Sequence, residues 1–255
     1  MKKQLNLRLI QYEIRNILGN IFVIFFGVFF PILMSVLFSF VFKGQAEGEV
    51  YQQIMTGIFI TMSLIIPLAV LLIGYAANYS QELEKDIPLR FSLFGYSQRT
   101  MLVAKMIAYL IFTTAAFIVY VAVDFTMLDL LMPTLSSALI LIGSLYGLAV
   151  LLFILAHGIA TFFKKFGPTY AATMSLYFGF MTLCGMMGIN VEQLPTGMRA
   201  VARMLPMSYI STDFIDFWQG GHYRFAPFIQ SFLFFGAVCV IVLLLSLRRE
   251  ARVVK

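Results

Sequence analysis

Six long apolar stretches dominate this sequence, at roughly 21–42, 53–77, 101–123, 137–163, 168–190 and 226–247. A helix needs about 20 apolar residues to cross a hydrocarbon core of roughly 30 Å. Backbone N–H and C=O groups cannot go unpaired in lipid, so a spanning segment of this length is helical. The short alternating segments of a β-barrel are absent. Only 12% of the residues are charged, against about a quarter in soluble domains. So few charges cannot cover a soluble globule of this size. The pattern therefore predicts an all-α integral membrane protein with six transmembrane helices, forming one domain over 1–255.

The net charge of +6 sits in loops and termini, where it reads as topology. Lys2, Lys3, Arg8 and Arg15 precede the first stretch. Lys85, Arg90, Arg99 and Lys105 follow the second, Lys164 and Lys165 follow the fourth, and Arg248, Arg249, Arg252 and Lys255 follow the last. The other side carries Lys43, Arg199, Arg203 and Arg224. Positive charge stays inside, which predicts a multi-pass plasma-membrane protein with both termini cytoplasmic. No basic face with interleaved aromatics appears, so nucleic acid is not expected as a partner.

Polar residues persist to Asn20, which does not fit a cleavable signal. Within 1–18, Leu7, Ile10, Ile14, Ile17 and Leu18 recur at helical spacing, with Arg8 and Arg15 on another face. This predicts an amphipathic helix lying in the membrane interface before the first span. The segment 191–225 is too apolar for a solvated loop and too interrupted to span. Short helices dipping into the outer leaflet are expected there, with Tyr209, Trp218 and Tyr223 at headgroup depth.

Missing motifs narrow the chemistry. No Gly-Lys dipeptide occurs, so the chain has no phosphate-binding loop of its own. His157 and His222 start no zinc-protease motif, and Cys184 and Cys239 lack metal-ligand spacing. Neither a catalytic nor a metal site is expected. The acidic residues lie outside the predicted spans, with Asp124 and Asp129 at or beyond the outer end of the third. Ion-coupled carriers usually need intramembrane carboxylates, so that class is disfavoured. His157 reads as a hydrogen-bonded structural residue.

The loop at 78–100 is the most informative stretch. Glu82, Glu84, Lys85, Asp86, Arg90 and Arg99 surround Ile87, Leu89, Phe91, Leu93 and Phe94. An apolar patch rimmed by charge suits partner docking. Packing on the protein's own helix ends is the other reading.

With these residues in view, the chain resembles the membrane-spanning subunits of ATP-binding cassette exporters of the type-2 permease family. Three features carry the likeness over nearly the full length: the amphipathic elbow before six spans; Glu82-Leu83-Glu84-Lys85 followed by Gly95-Tyr96-Ser97-Gln98-Arg99; and Leu194-Pro195 through Leu205-Pro206-Met207-Ser208-Tyr209, with Asp213 and Gly220-Gly221. Asp86-Ile87-Pro88 departs from the family's usual Gly-Thr after the acidic cluster.

The resemblance implies a permease coupled to a separate cytoplasmic ATPase, present in two copies and binding ATP and Mg. The chain itself would bind no cofactor. A second permease chain, identical or not, would complete the unit within membrane lipid. The coupling residues would be Glu82, Glu84, Arg90, Phe91, Phe94 and Arg99. The second and fifth spans would flank the pathway through Met55, Phe59, Met62, Tyr177, Phe178 and Met181. A re-entrant segment would include Pro195, Pro206, Tyr209 and Asp213. Methionine and aromatics make an adaptable apolar surface, which suits a hydrophobic or amphipathic cargo: a drug, a lipid-like molecule or an amphipathic peptide. A non-transporting scaffold or sensor using the same docking loop is the alternative.

Overall fold

The computed structural model describes residues 5–253, with side chains described to 249. Lys2, Lys3, Lys255 and the side chain of Arg252, all counted in the charge pattern, lie outside the described residues.

The described chain is built from helices and connecting turns. Helix α1 (Leu7–Leu18) starts where the Asn6 side chain accepts a hydrogen bond from Leu9 N and stops at Gly19. A cap of this kind satisfies an amide that the helix itself cannot. Its inward face is Leu9, Glu13 and Ile17, an i, i+4, i+8 row. Leu7 and Leu18 lie on the outer surface.

Asn20 caps the next helix, α2 (Ile21–Phe42), accepting from the amides of Phe22 and Val23. The backbone of α2 widens to π-helical pitch over Phe25–Phe29, ahead of Pro31. A proline ring clashes with the carbonyl four residues back and offers no N–H. The wider turn accommodates both defects.

In α3 (Gly48–Glu84) the order is reversed: the helix is interrupted at Leu64, three residues ahead of Pro67, and a π-helical stretch follows over Leu68–Tyr75. This helix is the axis of the molecule. Every residue from 62 to 77 is buried, as expected of a helix that is apolar all round. It crosses α2 at close range. A Cβ on Gly27 would stand 2.5 Å from Val70 Cγ2, and one on Gly74 would collide with Val23 Cγ2. Each helix thus offers a glycine to the other's valine.

After α3 come α4 (Ile87–Leu93), α5 (Gln98–Met127), α6 (Leu135–Phe163) and α7 (Phe166–Leu183). Then follow a 3-10 turn at Val191–Gln193, three short helices α8 (Thr196–Ala202), α9 (Pro206–Thr212) and α10 (Phe214–Trp218), and finally α11 (Phe225–Val253). Asp86 enters α4 in the left-handed region, at φ 53°. Helices α6 and α11 approach closely at Gly158, where a Cβ would stand 3.1 Å from Leu243 N.

Among the described residues, five helices are long and apolar enough to cross a membrane: Ile21–Phe42, Gly48–Glu84, Gln98–Met127, Leu135–Phe163 and Phe225–Arg249. The expected fifth span, 168–190, is occupied by α7, which has 18 residues. At 1.5 Å per residue that is about 27 Å, short of a full crossing. Thr169, Tyr170, Thr173, Ser175, Tyr177 and Thr182 also dilute its apolar character. The helix stops early because Gly185 and Gly188 take positive φ. Helix α9 meets its end: Ser211 Oγ donates to Cys184 O at 2.5 Å, and Thr61 Oγ1 of α3 donates to Ser211 O.

One end of the bundle gathers α1, α4, the 164–165 turn and the end of α11. Tyr12 contacts Phe91, Phe166 N donates to Glu84, and Arg249 lies over the Phe162 ring. This basic end holds the described residues whose charge predicts the cytoplasmic side. At the other end, Trp218 Nε1 donates to Leu131 O at 2.7 Å, and Ser137 Oγ donates to Trp218 O. Trp218, Tyr209 and Tyr223 are buried. All three are turned into the protein. Buried indole N–H and phenol O–H groups need acceptors, and the backbone carbonyls of Leu131, Arg203 and Tyr209 supply them to Trp218, Tyr209 and Tyr223 respectively.

Candidate coupling site and groove

Lys105 organises the basic end. It sits two turns inside α5, 3% exposed, with its Nζ donating to both oxygens of Glu13 at 2.9 and 2.8 Å and to Glu82 Oε1 at 2.7 Å. Glu13 belongs to α1 and Glu82 to the last turn of α3. Asn16 Nδ2 donates to the same Glu82 oxygen at 3.0 Å. Burial pushes the Glu13 carboxyl above its ordinary range, with Lys105 pulling the other way. Two carboxylates on one ammonium leave Glu82 Oε2 buried without a hydrogen-bond partner among the described residues.

A chain of polar contacts continues inward. Asn20 Nδ2 donates to Asn78 Oδ1 at 2.7 Å, and Asn78 Nδ2 donates to Tyr109 OH at 2.9 Å. Tyr75 OH and His157 Nδ1 share a hydrogen bond of 2.7 Å, which agrees with a structural role for His157. In a low-dielectric interior such groups must be satisfied, and a satisfied network fixes helix register.

The predicted coupling residues therefore divide. Glu82 is not on the surface: it is 5% exposed and held by Lys105. Glu84 accepts from the Phe166 amide at 3.0 Å, tying the loop to the start of α7. Phe91 is half-buried against Tyr12 and Tyr96, with ring centroids 5.6 and 6.0 Å apart. Arg90, Phe94 and Arg99 are exposed, as are Leu89 and Leu93. The outer surface of α4 is thus apolar and open, at 61% for Leu89, 81% for Leu93 and 70% for Phe94.

A groove of about 710 Å³ runs beside this end. Its mouth is polar, formed by Arg15, Asn16, Asn20, Asn78 and Gln81. Its deeper wall carries Phe22, Phe26, Met174, Tyr177, Phe178 and Met181. Tyr177, Phe178 and Met181, three of the six residues named for the pathway, line this groove together. Met55, Phe59 and Met62 do not join them. Met55 is fully enclosed, and Phe59 stacks on Tyr120 at 5.2 Å on the far side of α3. Because α3 is encircled, only its residues toward 69–81 reach the groove.

At the opposite end, Arg203 pairs with Glu192 at 2.6 Å and with Asp213 at 2.9 Å. Tyr209 OH donates to Arg203 O. Pro206 opens α9 from within the core, and Pro195 is exposed ahead of α8.

Sequence reasoning missed two buried charges. Lys105 counted as a loop cation, although its position inside the third apolar stretch was a signal for a partner. Asp124, placed at or beyond the helix end, lies inside α5 and is fully buried beside Ser35 and Tyr120. The third helix runs to Met127, four residues past the expected end.

The family described as ABC-2 family transporter protein matches residues 45–248. No curated protein and no solved structure matches the chain. The family match takes in the loop at 78–100, α7 and the short helices α8 to α10, and permeases of this kind work with a cassette ATPase and are generally not catalytic themselves. The chain is a multi-pass membrane protein and belongs to the ABC-2 transporter family, as the permease component of an ATP-binding cassette transporter.

Proposed function

We propose that the chain is an exporter permease whose basic end is cytoplasmic and docks a separate ATPase through α4. The observation that carries this reading is the open apolar face of Leu89, Leu93 and Phe94, flanked by Arg90 and Arg99. Apolar area of this kind on a charged, membrane-distal loop is costly unless a partner covers it. Helix α7 serves as the sixth span, with α9 filling the remaining depth as a re-entrant element.

Two chains, as one permease unit each, would face one another across a central pathway, with two ATPases beneath. ATP and Mg bind to those partners. Nucleotide favours one arrangement of the complex by binding it better. The pathway includes the groove of Tyr177, Phe178 and Met181. Its polar mouth and apolar wall suit an amphipathic cargo, such as a drug, a lipid-like molecule or an amphipathic peptide.

The test is copurification. Leu89→Asp with Leu93→Asp should abolish recovery of the ATPase while membrane insertion stays normal. Full recovery of the ATPase with that variant would refute docking through α4.

A further inference from the structure

We infer that α1 and the docking loop form one rigid body, and that Glu13 and Lys105 are the residues that make it so. Lys105 reaches Glu13 on α1 and Glu82 at the end of α3 from a third helix, so one buried ammonium binds three elements. Three further contacts run from α1 to the same region. Asn16 donates to Glu82 at 3.0 Å, the Tyr12 and Phe91 rings lie 5.6 Å apart, and Asn6 Nδ2 donates to Tyr96 OH at 3.3 Å. A buried ion cluster is little screened by salt, and removing one partner leaves an uncompensated charge.

The consequence rests on the reading of 78–100 as the ATPase handle. The end of α1 is also the mouth of the groove, through Arg15, Asn16 and Asn20. Motion imposed on α4 is then delivered to that mouth through α1, and only the Gly19–Asn20 joint separates the moving body from α2. Glu13 and Lys105 are positioning residues: they transmit the movement and touch neither nucleotide nor cargo.

The measurement is a distance between spin labels at Leu7→Cys and Ser92→Cys, both exposed and neither among the residues proposed to dock the ATPase. It is made on the full chain in lipid nanodiscs, with Cys184→Ala and Cys239→Ala removing the native thiols. The parent is expected to give one narrow distance. Glu13→Leu keeps the Lys105–Glu82 pair, fills the vacated volume and is expected to lose that single peak. Should Glu13→Leu fail to insert, Glu13→Gln carries the same expectation. A narrow, unshifted peak in the variant overturns the inference. With the copurified ATPase trapped by ATP and vanadate, the parent distance is expected to stay the same, and a shift overturns rigid-body motion. Failure of any ATPase to copurify defeats the functional reading and leaves the nanodisc result standing.

Discussion

Lys105 and Asp124 are both buried, yet their environments differ. Lys105 has two carboxylates within 2.9 Å, whereas both Asp124 oxygens lack a hydrogen-bond partner among the described residues. Removing the ammonium leaves Glu13 and Glu82 facing each other without compensation. Lys105→Met is therefore expected to destabilise the protein by about 3–5 kcal/mol, the usual cost of breaking a buried pair from one side, read as a lowered melting temperature in detergent. Asp124→Asn should do the opposite. It replaces a buried acid with a neutral amide at nearly constant shape and is expected to raise the melting temperature, because burying a charge costs more than burying an amide. A lowered melting temperature for Asp124→Asn would mean that the carboxylate has a partner worth more than its burial. Neither residue type announces its environment. The sequence places Lys105 inside an apolar stretch, but which acids reach it depends on α1 folding back against α5.

At the scale of elements, the two π-helical stretches carry the crossing of α2 and α3. Their prolines are visible in the sequence, but the reciprocal packing of Gly27 on Val70 and Gly74 on Val23 is not. Gly27→Ala is expected to cost about 1–3 kcal/mol through overpacking. Adding Val70→Ala should restore most of it, and a melt series on the single and double variants checks this. At the opposite end, a hydrogen bond from Arg203, with further attraction from Arg203 and Arg199, holds the Glu192 carboxyl below its ordinary range. A carboxyl depressed in the folded state stabilises fully above its unfolded pKa and loses that contribution as pH falls through the folded value. Protection of the α8 amides, relative to their intrinsic exchange rate at each pH, is therefore expected to fall on acidification below the ordinary carboxylate range. Glu192→Gln should show the reduced protection already at neutral pH. Because Glu192 is exposed, salt should weaken the effect.

For the whole molecule, an engine outside the chain is the central expectation. The purified chain alone should hydrolyse no ATP, and turnover by a clean preparation would contradict the division of labour between permease and ATPase. The arrangement also explains why the predicted coupling residues separated. On the proposed reading, docking needs apolar area at the surface, which Leu89, Leu93 and Phe94 offer, and force transmission needs fixed connections, which buried Glu82 makes to Lys105 and exposed Glu84 makes to the Phe166 amide. Charge pattern alone could not distinguish these roles, because a carboxylate on a loop and one under it look alike in sequence.

Apolar run length and the scarcity of charge were enough to mark a helical membrane protein, and the missing phosphate loop raised the expectation of an energy source outside the chain. These properties follow from local chemistry: the length of a run against the thickness of lipid, and the cost of moving charge through it. Tertiary structure alone decided that Glu82 turns inward to Lys105, that α3 is encircled so Met55, Phe59 and Met62 cannot reach the groove, and that α7 stops where α9 meets it. Each depends on which helix faces which, and that is settled by the packing of residues far apart in the chain.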